Sequence, residues 1–162
     1  MNIEYREPTK EEVNSWELVQ FVESVECHFE DIMKDTIGSE FEGNFRGLCN
    51  DDYVLVAYDT DAEEFAGVVM LDDFNDIRGP FCTLDILYVK YEYRGHGIGG
   101  ELVRRAVSVA REAGKKVVLN VLYQNDIGRK FWGKFNCLKP YFAEYIMDYE
   151  AYDAYDAEGK KC

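Results

Sequence analysis

The stretch YVKYEYRGHGIGGELV, Tyr88 to Val103, constrains this chain more than any other. Four of the six residues from Gly95 to Gly100 are glycine, set between an apolar β-type run and an apolar run of helical spacing. A strand, a glycine turn and a helix in that order place unpaired helix N–H groups where an anion can reach them. Gly95, Gly97 and Gly100 match G-x-G-x-x-G, the dinucleotide fingerprint, but the context does not. Lys90 to Arg94 separate the glycines from the strand end at Val89. Where an acid is wanted about 20 residues on, the chain has Asn120 inside a strand. No Gly-Lys-Ser/Thr follows, which removes the P-loop as well. What remains is Arg94-x-x-Gly97-x-Gly99 at a helix start. Glycines there let a bulky diphosphate approach the backbone, and Arg94 supplies a charge-assisted contact.

The rest of the chain reads as one α/β domain over 1–149, followed by an acidic Tyr/Asp-rich tail over 150–162. Ile3 to Arg6 is a short strand. Thr9-Lys10-Glu11-Glu12 is a capping box, followed by an apolar stripe through Val13, Trp16, Val19 or Leu18, Val22 and Val25. A second helix is expected over Cys27 to Thr36, then loop or short helix from Gly38 to Asn50. DYVLVAYD and EFAGVVMLDD, separated by TDAE, read as a hairpin, and GPFCTLDILYVK as a third strand. Ile98, Leu102, Ala106, Val109 and Ala113 mark a helix that Gly114 stops. KKVVLNVLY is a strand, Asn125 caps a helix from Ile127 to about Phe135, and YFAEYIMDY is a final strand. The predicted order is β-α-α-β-β-β-α-β-α-β, a mixed, mostly antiparallel sheet flanked by helices.

Charge and composition narrow the partners. A net charge of −14 argues against nucleic acid as a direct ligand, because phosphate contacts need clustered Lys and Arg. The same field favours a cationic partner. No apolar run reaches membrane-spanning length and no secretory leader is evident, so no membrane association is expected. Five dispersed cysteines form neither a disulfide framework nor a zinc site, and Cys82 and Cys137 read as small core residues. A reducing cytoplasm is the expected compartment, with no metal site. His28 reads as a surface residue.

The segment LYVKYEYRGHGIGGELV resembles the signature of the GNAT N-acetyltransferase superfamily, R/Q-x-x-G-x-G/A. Leu87, Val89, Tyr93, Arg94, Gly95, Gly97, Ile98, Gly99 and Leu102 carry the likeness, and the order of elements extends it over most of the chain. The resemblance is nearest to polyamine and aminoglycoside acetyltransferases. It implies acetyl-CoA as co-substrate, with Arg94, Gly95, His96, Gly97, Ile98, Gly99 and Gly100 around its pyrophosphate. It also implies that the strand at Leu87, Tyr88 and Val89 splays from its neighbour and pairs with the pantetheine amides, as a strand edge pairs with a peptide. Asn125 matches the residue that contacts the pantetheine arm, with Phe131 and Trp132 beside the cofactor.

Acetyl transfer to an amine needs a neutral amine, a donor to the oxyanion and a proton for the thiolate. Asp85, a carboxylate in the apolar run TLDILYV, is the candidate base. Alternation places it on one strand face with Leu87 and Val89, and the resemblance puts an acid there in the small-amine enzymes. The chain departs from the family where a tyrosine commonly protonates the sulfur, because Trp132 stands there and an indole N–H is no useful acid. Tyr141 or Tyr123 is the candidate substitute. Glu23, Glu26, Glu30, Asp31, Asp35, Glu40, Glu42 and the Tyr/Asp-rich C-terminus fall where the resemblance places the acceptor. That composition suits a polyamine or aminoglycoside-like amine, since aromatic faces add cation–π contact. A lysine or N-terminus of a protein is the alternative acceptor, and a non-catalytic acyl-CoA-binding module the alternative class. A homodimer is compatible with the sequence, which does not fix the oligomeric state.

Overall fold

A computed structural model of the chain describes residues 1–37, 53–76 and 79–139. The expected loop from Gly38 to Asn50, the final strand YFAEYIMDY and the acidic tail lie outside them. Contacts divide the chain into two compact units, Met1–Asp126 and Ile127–Cys162, and each is described on its own.

The first unit holds β1 (Ile3–Arg6), α1 (Trp16–Ile37), β2 (Tyr53–Asp59), β3 (Glu64–Asp76), β4 (Gly79–Val89), α2 (Ile98–Glu112) and β5 (Lys116–Leu119). The sheet runs in the order β1-β2-β3-β4-β5. Its pairs are antiparallel except β4 with β5, which the crossover through α2 makes parallel. The mixed, mostly antiparallel class stands as expected.

The entry to α1 differs from expectation. The two predicted helices over this region are one continuous helix, Trp16–Ile37. No glycine or proline falls within it, so the expected break near Cys27 has no physical cause. The Thr9–Glu12 box does form: Glu12 N–H donates to Thr9 Oγ1 at 3.2 Å and Thr9 N–H to Glu12 Oε2 at 2.7 Å. It opens a single 3-10 turn, Glu12–Asn14, rather than α1 itself. Arg6 clamps the same carboxylate with two bonds of 2.6 Å. These bonds hold Glu12 at about 2, well below the ordinary carboxylate range, with Arg6 the largest cause. The α-helix is capped anew by Ser15, whose Oγ accepts from Leu18 N–H at 3.2 Å.

That turn resets the helical phase. The buried face of α1 carries Leu18, Phe21 and Val25, with Val22 and Phe29 packed beside them. Trp16, at 70% exposure, lies outside it, as do Val13 and Val19. This face covers Val54, Val56, Phe65, Val68, Met70, Ile86 and Tyr88 on one side of the sheet.

Helix α2 covers the opposite side with Ile98, Leu102, Val103, Ala106 and Ala110. Gly67 in β3 permits that approach. A Cβ there would lie 2.9 Å from Tyr88 O and 3.2 Å from Leu102 Cδ1. Gly114, at φ 71°, follows the end of α2 as predicted.

In the second unit, α3 (Asp126–Trp132) carries Phe131 and Trp132, which meet Phe135 in an aromatic triad with centroids 5.0–5.3 Å apart. Cys82 is buried as expected, whereas Cys137 is exposed.

Candidate active site

Strand β4 changes character at Asp85. Phe81 to Leu84 pair with β3 on one side and with Lys116 to Leu119 of β5 on the other. Beyond Leu84 the pairing with β5 stops, and among the described residues no strand lies on that side of Ile86–Val89. On the β3 side, Leu84 pairs with Leu71 and Ile86 with Met70. Asp85 is therefore the additional residue of a β-bulge, and it is exposed. Because Met70 and Leu71 are adjacent and face opposite ways, Leu84 and Ile86 do so too. The alternation expected to run unbroken from Asp85 to Val89 is interrupted at the bulge.

The ladder phase then decides which backbone groups face the open side. Lys90 N–H donates to Ala66 O at 2.9 Å. That makes 90/66, and by alternation 88/68 and 86/70, the pairs that exchange hydrogen bonds. Leu87 and Val89 sit in the intervening pairs, so their N–H and C=O groups point away from β3, toward the side β5 has left. Tyr88 turns its backbone groups to β3 instead. Its ring packs under α1, 5.9 Å from Phe21 and 5.4 Å from His28. His28 is thus half-buried against β4 rather than a surface residue, and burial, with Arg94 adding to it, pushes its pKa down.

The five residues between strand and glycines are folded, not slack. Tyr91–Tyr93 form a 3-10 turn. Arg94 folds back: its Nε donates to Val89 O at 2.9 Å, and its guanidinium lies 5.8 Å from the Tyr88 ring and 5.7 Å from that of Tyr91. His96 Nδ1 contacts Tyr93 O at 3.3 Å. Gly95 and Gly97 take φ of 83° and 84°, the left-handed region that glycine enters without strain. A Cβ at Gly95, Gly97 or Gly100 would meet nothing within 4 Å, so this face of the turn is open.

Gly97 is the N-cap of α2, and no side chain caps the helix. The first intrahelical bond is Glu101 N–H to Gly97 O at 3.1 Å, which leaves the N–H groups of Ile98, Gly99 and Gly100 ahead of the helical ladder. Glu101, in the first helical turn, would repel an anion there. Arg104 and Arg105 neutralise it through bonds of 2.6–2.8 Å and hold its carboxyl at about 2.

The structure thus brings Asp85, Leu87, Val89, Arg94, Gly95, His96, Gly97, Ile98, Gly99 and Gly100 onto one strand–turn–helix unit. Asn125 lies in the turn after β5, its N–H donating to Leu122 O at 3.0 Å. Phe131 and Trp132 belong to the second unit, and Tyr141 is outside the described residues. Among the described residues, no group of three His, Cys, Asp or Glu side chains is placed to hold a metal ion, and no helix is long and apolar enough to cross a membrane. Sequence reasoning missed the bulge, and it missed the side-chain network under the turn, in which Tyr93 bonds Asp59 and Glu64. The hint was there: Lys90 and Tyr93 are spaced to share one face of a tight turn.

A mixed sheet whose fourth strand feeds an uncapped, glycine-rich helix start defines the class of fold. The sequence model of the acetyltransferase (GNAT) family matches residues 11–136, and the chain belongs to that family of enzymes. The family uses acetyl-CoA as co-substrate. No curated protein sequence matches the chain significantly. Solved structures share the fold at low identity. A ribosomal-protein-alanine N-acetyltransferase from Brucella melitensis superposes with a TM-score of 0.65 at 18% identity, over 91% of this chain and 100% of that one. An aminoglycoside acetyltransferase from an uncultured soil metagenomic sample gives 0.60 at 15%, over 91% and 95%. An acetyltransferase from Trypanosoma brucei gives 0.54 at 16%, over 91% and 99%.

Proposed function

We propose that the protein transfers an acetyl group from acetyl-CoA to a primary amine of a cationic small molecule of polyamine or aminoglycoside type. One observation carries the donor side. The outward N–H and C=O groups of Leu87 and Val89 lead directly into the open turn and uncapped start of α2. An extended amide arm fits the first feature and a diphosphate the second. The N–H groups of Ile98, Gly99 and Gly100 hold the diphosphate, with the two Nη groups of Arg94 as a charged fork while its Nε stays on Val89 O. Acetyl-CoA supplies the activated thioester.

Asp85 manages the amine. A carboxylate on a bulge at the point where β4 and β5 separate is exposed to an incoming ammonium group and can hold it, then take its proton directly or through water. Tyr141 is the proposed proton source for the leaving sulfur, in place of the tyrosine that Trp132 replaces.

The cationic acceptor is supported by the net charge of −14 and by α1. There Glu23, Glu26 and Glu30 are spaced about a turn apart along the helix, and burial, then Glu23 and Glu30, push the carboxyl of Glu26 up. The aminoglycoside acetyltransferase among the structural relatives shares this fold.

The test is an acetylation panel read by release of CoA thiol, comparing spermidine, an aminoglycoside, a basic peptide and a neutral amine. Turnover of spermidine or the aminoglycoside is expected to lead. A neutral amine reacting while the cations stay inert contradicts the acceptor class. Binding of CoA with no turnover on any amine contradicts the enzymatic reading of this site.

A further inference from the structure

The network beneath the glycine turn has a use that the site residues alone do not explain. The Tyr93 side chain is buried and its hydroxyl meets two carboxylates, Glu64 Oε1 at 2.7 Å and Asp59 Oδ2 at 3.1 Å. A phenol has a single proton, so the shorter contact to Glu64 holds it, and Asp59 Oδ2 is the alternative acceptor of that same proton. Lys90 Nζ balances the charge from the far side of Glu64, donating to Oε2 at 2.7 Å. Asp59 is itself fixed by the N–H groups of Asn2 and Asp61 on Oδ1, at 3.0 and 3.1 Å. Asp59 ends β2 and Glu64 begins β3, so both carboxylates sit at the β2–β3 hairpin.

The bonds of the turn itself are local: Tyr93 N–H to Lys90 O, Arg94 N–H to Tyr91 O, Arg94 Nε to Val89 O. The first two close the turn on itself, and the third ties the Arg94 side chain back to the end of β4. The ties to the hairpin come from Lys90, through its amide and its ammonium, and from the Tyr93 hydroxyl. The two glycines of positive φ follow at once. Such residues give the chain the most freedom to wander, so a fixed point just before them limits how far the turn that carries Arg94 and leads into α2 can shift.

We propose that Tyr93 is a positioning residue of the donor site: its hydroxyl anchors the β4–α2 turn to the β2–β3 hairpin and so holds Arg94 and the Ile98–Gly100 N–H groups ready for a diphosphate. The inference rests on the donor-site reading above. Preorganisation of this kind lowers the ordering cost of binding without touching the reacting atoms.

The experiment is calorimetric titration of CoA into the full chain, with thermal melts alongside. Tyr93→Phe keeps the ring and removes the anchor. Affinity is expected to fall about tenfold, the scale of one hydrogen bond to a charged group. Turnover of the best amine at saturating acetyl-CoA is expected to stay within about twofold, because binding and chemistry are separable there. Glu64→Gln keeps an acceptor for the hydroxyl and should remain within about threefold of wild type. Glu64→Met removes the nearer acceptor of the hydroxyl and the partner of Lys90 together, leaving the hydroxyl only the longer contact to Asp59; it should weaken CoA at least about fivefold, which tests the idea should Tyr93→Phe fail to fold. CoA affinity unchanged in Tyr93→Phe and Glu64→Met overturns the inference. So does a loss of saturated turnover equal to the loss of affinity, which marks general loosening. Failure of the wild-type chain to bind CoA overturns the donor-site reading itself, and this inference with it.

Discussion

The two halves of β4 have the same neighbour in β3 and different fates. From Phe81 to Leu84 the strand is sandwiched between β3 and β5. Its side chains at Phe81, Cys82 and Leu84 are buried. From Ile86 to Val89 only β3 remains, and no side chain there is fully buried. The bulge at Asp85 divides them. One half uses its hydrogen-bonding capacity to build the sheet, and the other turns part of it away from the sheet, where the proposed donor site would use it. One strand can thus be scaffold along one half and leave backbone groups open along the other, provided the partner strand ends at the right residue.

The sharpest way to break this comparison is at the divide. Asp85→Asn is expected to lower turnover at least about 100-fold, the usual cost of losing a general base, with CoA affinity within about twofold. Steady-state kinetics and calorimetry on one preparation check it, and equal losses in both would make Asp85 part of the scaffold. In the scaffold half, Leu84→Ala should behave in the opposite way. Leu84 is 4% exposed, and truncation should cost about 2–4 kcal/mol of stability. A thermal melt should shift down by about 5–10 °C, with acetyl-CoA KM unchanged.

Beyond the open half, Gly97→Val sharpens the contrast. A β-branched residue at φ 84° is strained, and its side chain would fill the open face of the turn. CoA affinity should fall about 30-fold, roughly 2 kcal/mol of strain and lost approach. A value within threefold would place the ligand elsewhere.

The smallest expected effect lies far from β4. Glu12 has a folded-state pKa of about 2, below its ordinary value of 4.5. Its contribution is fully present above pH 4.5 and is lost as pH falls through about 2. Being partly exposed, the Arg6–Glu12 pair should contribute about 1–2 kcal/mol. Glu12→Gln should flatten the acid limb of Tm against pH and leave CoA binding alone.

The glycine turn was legible because its chemistry is local. Positive φ at Gly95 and Gly97 and a helix start at Ile98 follow from residue types alone. Family resemblance implies that the strand at Leu87 to Val89 splays from its neighbour, and the pairing of β4 with β5 ends at Leu84. What stayed illegible depends on register and on distant partners. The bulge at Asp85 is set by how β4 lies against β3, and no spacing within TLDILYV announces it. The phase of α1 turns on Ser15 capping anew after a 3-10 turn, so Trp16, although it falls on the apolar stripe of the sequence, is exposed. Tyr93 was visible only as a motif position, because its partners Asp59 and Glu64 lie about thirty residues away in a hairpin.

The open half of β4 and the start of α2 are together proposed to receive acetyl-CoA. Backbone amide shifts on an isotopically labelled sample, followed through a CoA titration, test it residue by residue. Large shifts are expected at Leu87, Val89, Ile98, Gly99 and Gly100, with Tyr88 and the Phe81–Leu84 amides little changed. Shifts centred on Phe81–Leu84 or on α1, with Leu87 and Val89 still, would contradict it.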